Sequence, residues 1–84
     1  MNGVDKMFEV LGYKKDEAEN DYIRYKKIGY NNEFKDIVFD LEHNLLNIST
    51  ENTSNYQTIT TILNMQELQA INEKIKELGW LESE

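Results

Sequence analysis

The only histidine of the sequence, His43, is the first residue to consider for acid–base or metal chemistry. A general base or a metal ligand needs partner groups, and the acidic residue directly beside it is Glu42. We therefore interpret His43 as an exposed turn residue. The sequence has no cysteine, which removes thiol catalysis, disulfide bonds and the common zinc frameworks together.

Carboxylates are abundant but show no catalytic arrangement. With 16 Asp and Glu residues, close pairs such as Asp36 and Asp40 arise by chance. These two residues should lie on one strand face about 13 Å apart, too far to act on one bond. No nucleotide-binding glycine motif, acidic calcium loop or serine–histidine–aspartate order is present. We therefore predict a protein that is not an enzyme, with no catalytic residue, metal, cofactor or small-molecule substrate.

One segment, residues 22–30 (YIRYKKIGY), interleaves basic and aromatic residues. At strand spacing Tyr22, Arg24 and Lys26 share one face, the arrangement of sheet platforms that stack single-stranded bases. The net charge of −7 repels phosphate, and Asp36 supplies a carboxylate for these cations. Single-stranded nucleic-acid binding through this face is an alternative hypothesis. A second alternative is an acidic nucleic-acid mimic that inhibits a DNA-binding protein, although lysines interrupt the carboxylates.

Strands must position these side chains, and alternating apolar residues predict them. Ile23 and Tyr25 alternate in one segment, and Ile37 and Phe39 alternate in the next. The two sets share a sheet face only if an odd-numbered loop joins the strands. A polar stretch at residues 14–21 (KKDEAEND) precedes the first strand.

Turn-forming residues set the expected register. Residues 30–32 fit a three-residue loop with Asn32 in the left-handed conformation. This loop places Lys26 opposite Asp36 on the other face of the sheet.

The remaining strands follow from two further turns. His43 and Asn44 are interpreted as a two-residue turn because both tolerate positive φ. Residues 52–55 then lead to a fourth strand at about 56–63.

Two helices flank the strands in the sequence, and both end at a glycine. Gly12 and Gly79 are predicted C′ residues, so that Tyr13 and Trp80 fold back onto the preceding turns. The second helix begins with a capping box of Asn64 and Glu67. The predicted apolar stripes are Val4, Met7, Phe8 and Leu11 in the first helix, and Leu68, Ile71, Ile75 and Leu78 in the second.

These elements predict one α+β domain over residues 1–84. It is a four-stranded antiparallel β-meander with a short N-terminal helix and a longer C-terminal helix packed on the sheet (α-β-β-β-β-α). The second face of this sheet is more apolar than a fully solvated face. The first helix, a second subunit or a partner protein would cover it. Trp80 either closes the core or reaches an interface. The candidate interaction surface is Tyr22, Arg24, Lys26, Val38, Leu45, Ile62, Trp80 and Leu81.

Several segments together resemble small phage and prophage proteins of Gram-positive bacteria. These are MFEVLGYKK near the start, YIRYKK and IVFDLE in the middle, and MQELQAINEKIKELGW near the end. The resemblance implies a cytoplasmic accessory protein and brings no activity or site residue with it. The sequence also shows no signal-peptide pattern and no apolar run of membrane-spanning length. We expect a protein-interaction or regulatory module that binds a protein partner or itself, and neither membrane nor nucleic acid.

Overall fold

The computed structural model describes residues 3–29, 32–52, 58–59 and 61–80. Helix α1 precedes five strands, and helix α2 follows them. The elements are α1 (Gly3–Val10), β1 (Lys14–Ala18), β2 (Tyr22–Ile28), β3 (Glu33–Asp40), β4 (Leu45–Asn52), β5 (Thr58–Ile59) and α2 (Met65–Leu78).

The strands form one antiparallel sheet in the order β1-β2-β3-β4-β5. The predicted α+β class, with a meander between a short first helix and a longer last helix, is confirmed. The structure adds β1, which lies in the polar stretch predicted to precede the first strand. Of the predicted fourth strand at 56–63, residues 58–59 form β5 and residues 61–63 are not in a strand, whereas residues 56, 57 and 60 lie outside the described residues.

The β2–β3 register agrees with the sequence prediction. Lys26 lies opposite Asp36, and Ile28 lies opposite Phe34. The amide of Gly29 donates to the carbonyl of Glu33 at 2.8 Å. Asn32 has φ of 62°, the left-handed conformation expected in a three-residue loop. Residues 30 and 31 of this loop lie outside the described residues.

The β3–β4 turn differs from the prediction by two residues. Asp40 pairs with Leu45, so the loop contains residues 41–44 and not only His43 and Asn44. The Asp40 carboxylate accepts hydrogen bonds from the amides of Glu42 and His43, at 3.0 and 3.1 Å. This local side-chain-to-backbone bonding stabilises the longer turn. Asn44 is left-handed, with φ of 55°.

The hydrophobic core lies between one face of the sheet and both helices. Phe8 of α1 stacks on Tyr25 of β2, with ring centroids 4.0 Å apart. Trp80, after α2, packs on Phe39 of β3 at 6.0 Å. We call this side of the sheet the core face. Its fully buried residues are Phe8, Tyr13, Tyr25, Ile37, Phe39, Ala70 and Ile71.

One alternative for the second face is therefore wrong. Coverage of that face by α1 was one expectation from the sequence, whereas α1 packs on the core face beside α2. The reason is Phe8, whose burial against Tyr25 and Phe39 contributes roughly 1.5–3 kcal/mol.

Both helix C-termini have the predicted glycine-containing Schellman geometry. The amide of Tyr13 donates to the carbonyl of Phe8 at 3.0 Å, and Gly12 has φ of 96°. The amide of Trp80 donates to the carbonyl of Ile75 at 3.2 Å. The aromatic residue after each glycine packs onto the core, so both endings are helix stops.

The apolar stripe predicted for α2 is confirmed at Ile71, Ile75 and Leu78, which pack in or against the core, but not at Leu68. Leu68 is 41% exposed, whereas Glu67 and Lys74 are only 2% and 3% exposed. The buried positions 67, 70, 71 and 74 still follow helical spacing. Polar interactions compensate for burial of the two charges, so hydrophobicity alone does not identify these two buried positions.

Candidate interaction surface

The candidate residues of the central strands lie together on the face turned away from both helices. We call this the open face. Its rows run across β2, β3 and β4 in register. The rows are Tyr22–Asp40–Leu45, Arg24–Val38–Asn47 and Lys26–Asp36–Ser49, and Phe34 extends the face beyond the last of them.

The guanidinium group of Arg24 is held by carboxylates on the open face. Its Nη2 lies 3.0 Å from Asp36 Oδ2, and its Nε donates to Asp36 Oδ1 at 3.3 Å. Asp16 of β1 approaches Nε at 3.9 Å. Asp36 is buried although it lies on the open face, because the long arginine side chain covers it. The predicted direct Lys26–Asp36 pairing exists in register, but Arg24 makes the ion pair.

The second cation of this face, Lys26, lies over an aromatic ring. Its Nζ is 4.5 Å from the centroid of Phe34, a cation–π contact. Arg24 and Lys26 therefore engage groups of their own sheet. A single-stranded nucleic acid would have to displace these contacts and approach Asp36 and Asp40, which disfavours the nucleic-acid hypothesis.

Apolar residues occupy one end of the open face. Leu45 is 55% exposed, and Tyr22 and Val38 are half-buried. Tyr22 and Leu45 flank Asp40 in one row, and Val38 lies in the adjacent row. No described helix packs on them, so they form an exposed apolar patch on the sheet.

Two further candidate residues, Ile62 and Trp80, do not belong to this patch. Ile62 follows β5 and is exposed, and its carbonyl accepts from Lys35, whose side chain lies on the core face. The strand ends before residue 61, so the alternation that placed Ile62 on the second face does not apply. Trp80 packs on Phe39 and closes the core. Leu81 lies outside the described residues.

Acidic turns border the apolar end of the open face. The amide of Leu41 donates to the carbonyl of Asp21 at 2.8 Å, which joins the β1–β2 and β3–β4 turns. Hydrogen bonds from the His43 side chain and amide hold the pKa of Asp40 below its ordinary value. The exposed carboxylates of Glu19, Asp21 and Glu42 lie in these turns.

A buried polar cluster, which sequence reasoning missed, joins the core face to α2. The Tyr13 hydroxyl donates to Glu67 Oε2 at 2.7 Å, and Lys35 Nζ lies 3.1 Å from the same oxygen. The amide of Asn64 donates to Glu67 Oε1 at 2.9 Å, which completes the capping box. Burial alone would raise the pKa of Glu67, but these donors together lower it below 4.5.

A second cluster joins α1 to the sheet. The Tyr25 hydroxyl donates to Asp5 Oδ1 at 2.5 Å, and Lys15 Nζ lies 3.1 Å from Asp5 Oδ2. In α2, buried Lys74 donates to Glu77 at 2.6 Å. Burial would raise the pKa of Asp5, but the bonds from Tyr25 and Lys15 lower it.

Neither cluster is suited to acid–base catalysis. Burial and the neighbouring carboxylates raise the pKa of Tyr13 and Tyr25, so both stay neutral, while Asp5 and Glu67 stay ionised. None of these four groups therefore changes charge near neutral pH. Every buried side-chain nitrogen and oxygen in the described part of the chain has a hydrogen-bond partner. The role that follows is structural.

The described residues hold no group of three or more potential metal ligands. Among those same residues, neither helix has the length and apolar character needed to cross a membrane. In comparisons with known proteins, no protein-family model matches the sequence, and no curated protein or solved structure matches it significantly.

Proposed function

We propose that this chain is a cytoplasmic, phage- or prophage-type accessory protein that acts as a non-enzymatic protein-interaction module. The open face is its binding surface. The observation that carries the proposal is the position of the helices: both pack on the core face and leave Leu45 and Val38 without a covering helix among the described residues.

The composition of the open face suits a protein partner. A large apolar residue at the centre of a patch contributes binding energy, and charged residues around it determine orientation. Leu45 and Tyr22 provide the apolar contact, and the Arg24–Asp36 pair already neutralises much of the adjacent charge. A partner therefore gains apolar contact without burying an unpaired arginine.

The test compares two exposed apolar residues by the same substitution. Leu45→Lys places a charge in the open face, and Val10→Lys places one on α1, where Val10 is 73% exposed. Each tagged variant is used for affinity capture from lysogenic cells of a Gram-positive host. The proposal predicts a protein that co-purifies with wild type and Val10→Lys and is lost with Leu45→Lys.

Sedimentation of the purified chain distinguishes a partner protein from self-association. A concentration-dependent dimer that Leu45→Lys abolishes would also support binding through the open face. A strictly monomeric chain whose captured proteins are identical for wild type and both variants would contradict the proposal.

A further inference from the structure

The sheet has two edges, and they differ in how they are protected. Unpaired backbone groups at a sheet edge can bind another strand, and proteins block them with charges, bulges or short strands. β1 forms one edge, and β4 with β5 forms the other. The two edges differ in the pairing of their strands.

The β1 edge is blocked by its own sequence. Its register with β2 shifts between Lys15 and Glu17, which places a bulge at Asp16. Lys14 and Lys15 add charges to the same short strand. A bulge twists the strand and interrupts its ladder, so this edge is a poor template for another strand.

The β4 edge is only partly covered by β5. The β4–β5 pairs are Thr50 with Ile59 and Glu51 with Thr58. The chain then turns towards the core face, where the carbonyl of Ile62 accepts from Lys35 Nζ at 2.7 Å. Residues 45–49 therefore have no strand paired to their outer edge among the described residues.

This uncovered segment carries no protective feature. Its sequence, LLNIS, has no charge, proline or glycine. In antiparallel pairing, alternate residues direct their N–H and C=O groups away from β3, so the segment offers hydrogen-bonding groups to an added strand. Leu45 and Asn47 are exposed beside this edge.

Carboxylates lie at both ends of the uncovered segment. Glu42 belongs to the turn before Leu45, and Glu51 follows Ser49 by two residues. A strand that is uncharged at its centre and basic at its ends therefore matches this edge in both hydrogen bonding and charge.

We propose that an extended segment of a partner protein, uncharged at its centre and flanked by lysine or arginine, adds to the sheet along residues 45–49 of β4. The inference rests on the proposed interaction function and names the partner's chemistry. A second copy of this chain fits less well. Each copy carries a charge of −7, and neither residues 40–44 nor residues 50–54, which flank the segment, contain a lysine or arginine.

The probe is a short peptide whose centre alternates threonine and valine and whose two ends carry paired lysines. Binding is followed by fluorescence anisotropy and by amide hydrogen exchange in the NMR spectrum. We expect saturable binding that weakens with salt, together with slower exchange at alternate amides of residues 45–49. Amides of β1 should not change.

Two controls separate strand addition from attraction of a basic peptide to an acidic protein. The same peptide with N-methylated central residues keeps its charge but loses its backbone donors, and it should not bind. Asn47→Lys should weaken binding about fivefold, whereas Asn72→Lys, an exposed position on α2, should change it far less.

Each result has a definite meaning. The inference is overturned if the N-methylated peptide binds as tightly as the unmodified peptide, or if the Asn47→Lys variant binds the peptide as tightly as wild type. Either result would leave the proposed role of the open face untouched. No binding at the highest soluble peptide concentration also overturns the inference. Concentration-dependent protection of residues 45–49 without peptide means that a second copy occupies the edge, which likewise refutes a basic partner strand. The proposed function fails separately, through the Leu45→Lys capture experiment.

Discussion

Replacement of Glu67 by glutamine should cost this protein a large part of its stability. The carboxylate is 2% exposed and accepts from the Tyr13 hydroxyl, Lys35 and the amide of Asn64. The amide can keep neutral bonds from some of these donors, but it offers one acceptor oxygen and no charge for Lys35. Hydrogen bonds to a charged group contribute about 1.5–3 kcal/mol each and neutral ones about 1 kcal/mol. The expected cost is therefore about 3 kcal/mol.

The same substitution should change the response to acid. Because the pKa of Glu67 is lower in the folded chain than its ordinary value of 4.5, the unfolded chain binds the proton more tightly. The stability that the carboxylate contributes is complete above about pH 4.5 and is lost as the pH falls through the lowered folded pKa. Glu67→Gln should therefore lose less stability than wild type across this acidic range.

Urea unfolding, followed by tryptophan fluorescence at neutral pH and at several acidic values, measures both effects. The matched control is Glu73→Gln, which removes a half-exposed carboxylate from the same helix and its pair with Lys76. The control should change the free energy of unfolding by no more than about 0.5 kcal/mol. If Glu67→Gln and Glu73→Gln give the same midpoint and the same acid dependence, the Glu67 cluster does not stabilise the fold.

Three further predictions follow from the same structure. Gly79→Val should lower the free energy of unfolding by at least about 1 kcal/mol, because φ at this position is 77°. The control Gly3→Ala, where nothing lies within 4 Å of the added carbon, should leave the melting temperature nearly unchanged. Equal melting temperatures for the two variants would rule out the strained cap. In an alkaline titration followed by tyrosinate absorbance, Tyr13 and Tyr25 should ionise only as the chain unfolds, because their pKa values are raised in the folded chain. Their contribution to stability is therefore complete below about pH 10 and is lost as the pH rises above it. Tyr13→Phe and Tyr25→Phe identify the two late groups, and full ionisation of the folded chain would contradict their burial. Ile71→Ala should lower the free energy of unfolding by about 3 kcal/mol, whereas Leu68→Gln should change it by less than about 0.5 kcal/mol. A larger loss for Leu68→Gln than for Ile71→Ala in denaturant unfolding would mean that Leu68 is buried, as the apolar stripe predicts.

The sequence predicted those features of the fold that depend on local backbone chemistry. The two glycine caps, the capping box of Asn64 and Glu67 and the left-handed Asn32 each follow from the conformation that one residue type tolerates. Alternating apolar residues also predicted the shared face of β2 and β3. These signals are contained within a few residues and do not depend on the rest of the chain.

The features that the sequence did not predict depend on distant partners. Strand β1 has no apolar alternation, and its pairing with β2 becomes visible only in the sheet. The burial of Glu67 depends on Tyr13, 54 positions away, and on Lys35. The sequence alone does not reveal these contacts, so burial in α2 was assigned from the apolar stripe. That stripe includes Leu68, which is exposed, and omits Glu67, which is buried.

The candidate surface was predicted correctly where strand periodicity holds and incorrectly where the chain leaves the sheet. Tyr22, Arg24, Lys26, Val38 and Leu45 share a face because the strand periodicity holds through β2, β3 and β4. Ile62 was misplaced because the chain leaves the sheet after β5. The docking of α1 on the core face could not be read from its own apolar stripe, which fits either side of a sheet.

The aromatic contacts of the core have a consequence for synthesis on the ribosome. Phe8 packs on Tyr25 and Phe39, and Phe39 in turn packs on Trp80. The first and last elements of the described chain therefore meet over the same strands, and until α2 has emerged the core face stays exposed. Contacts between residues so far apart in sequence also slow folding. The nascent chain should remain a target for chaperones until α2 docks, and it should then become protease-resistant in one step.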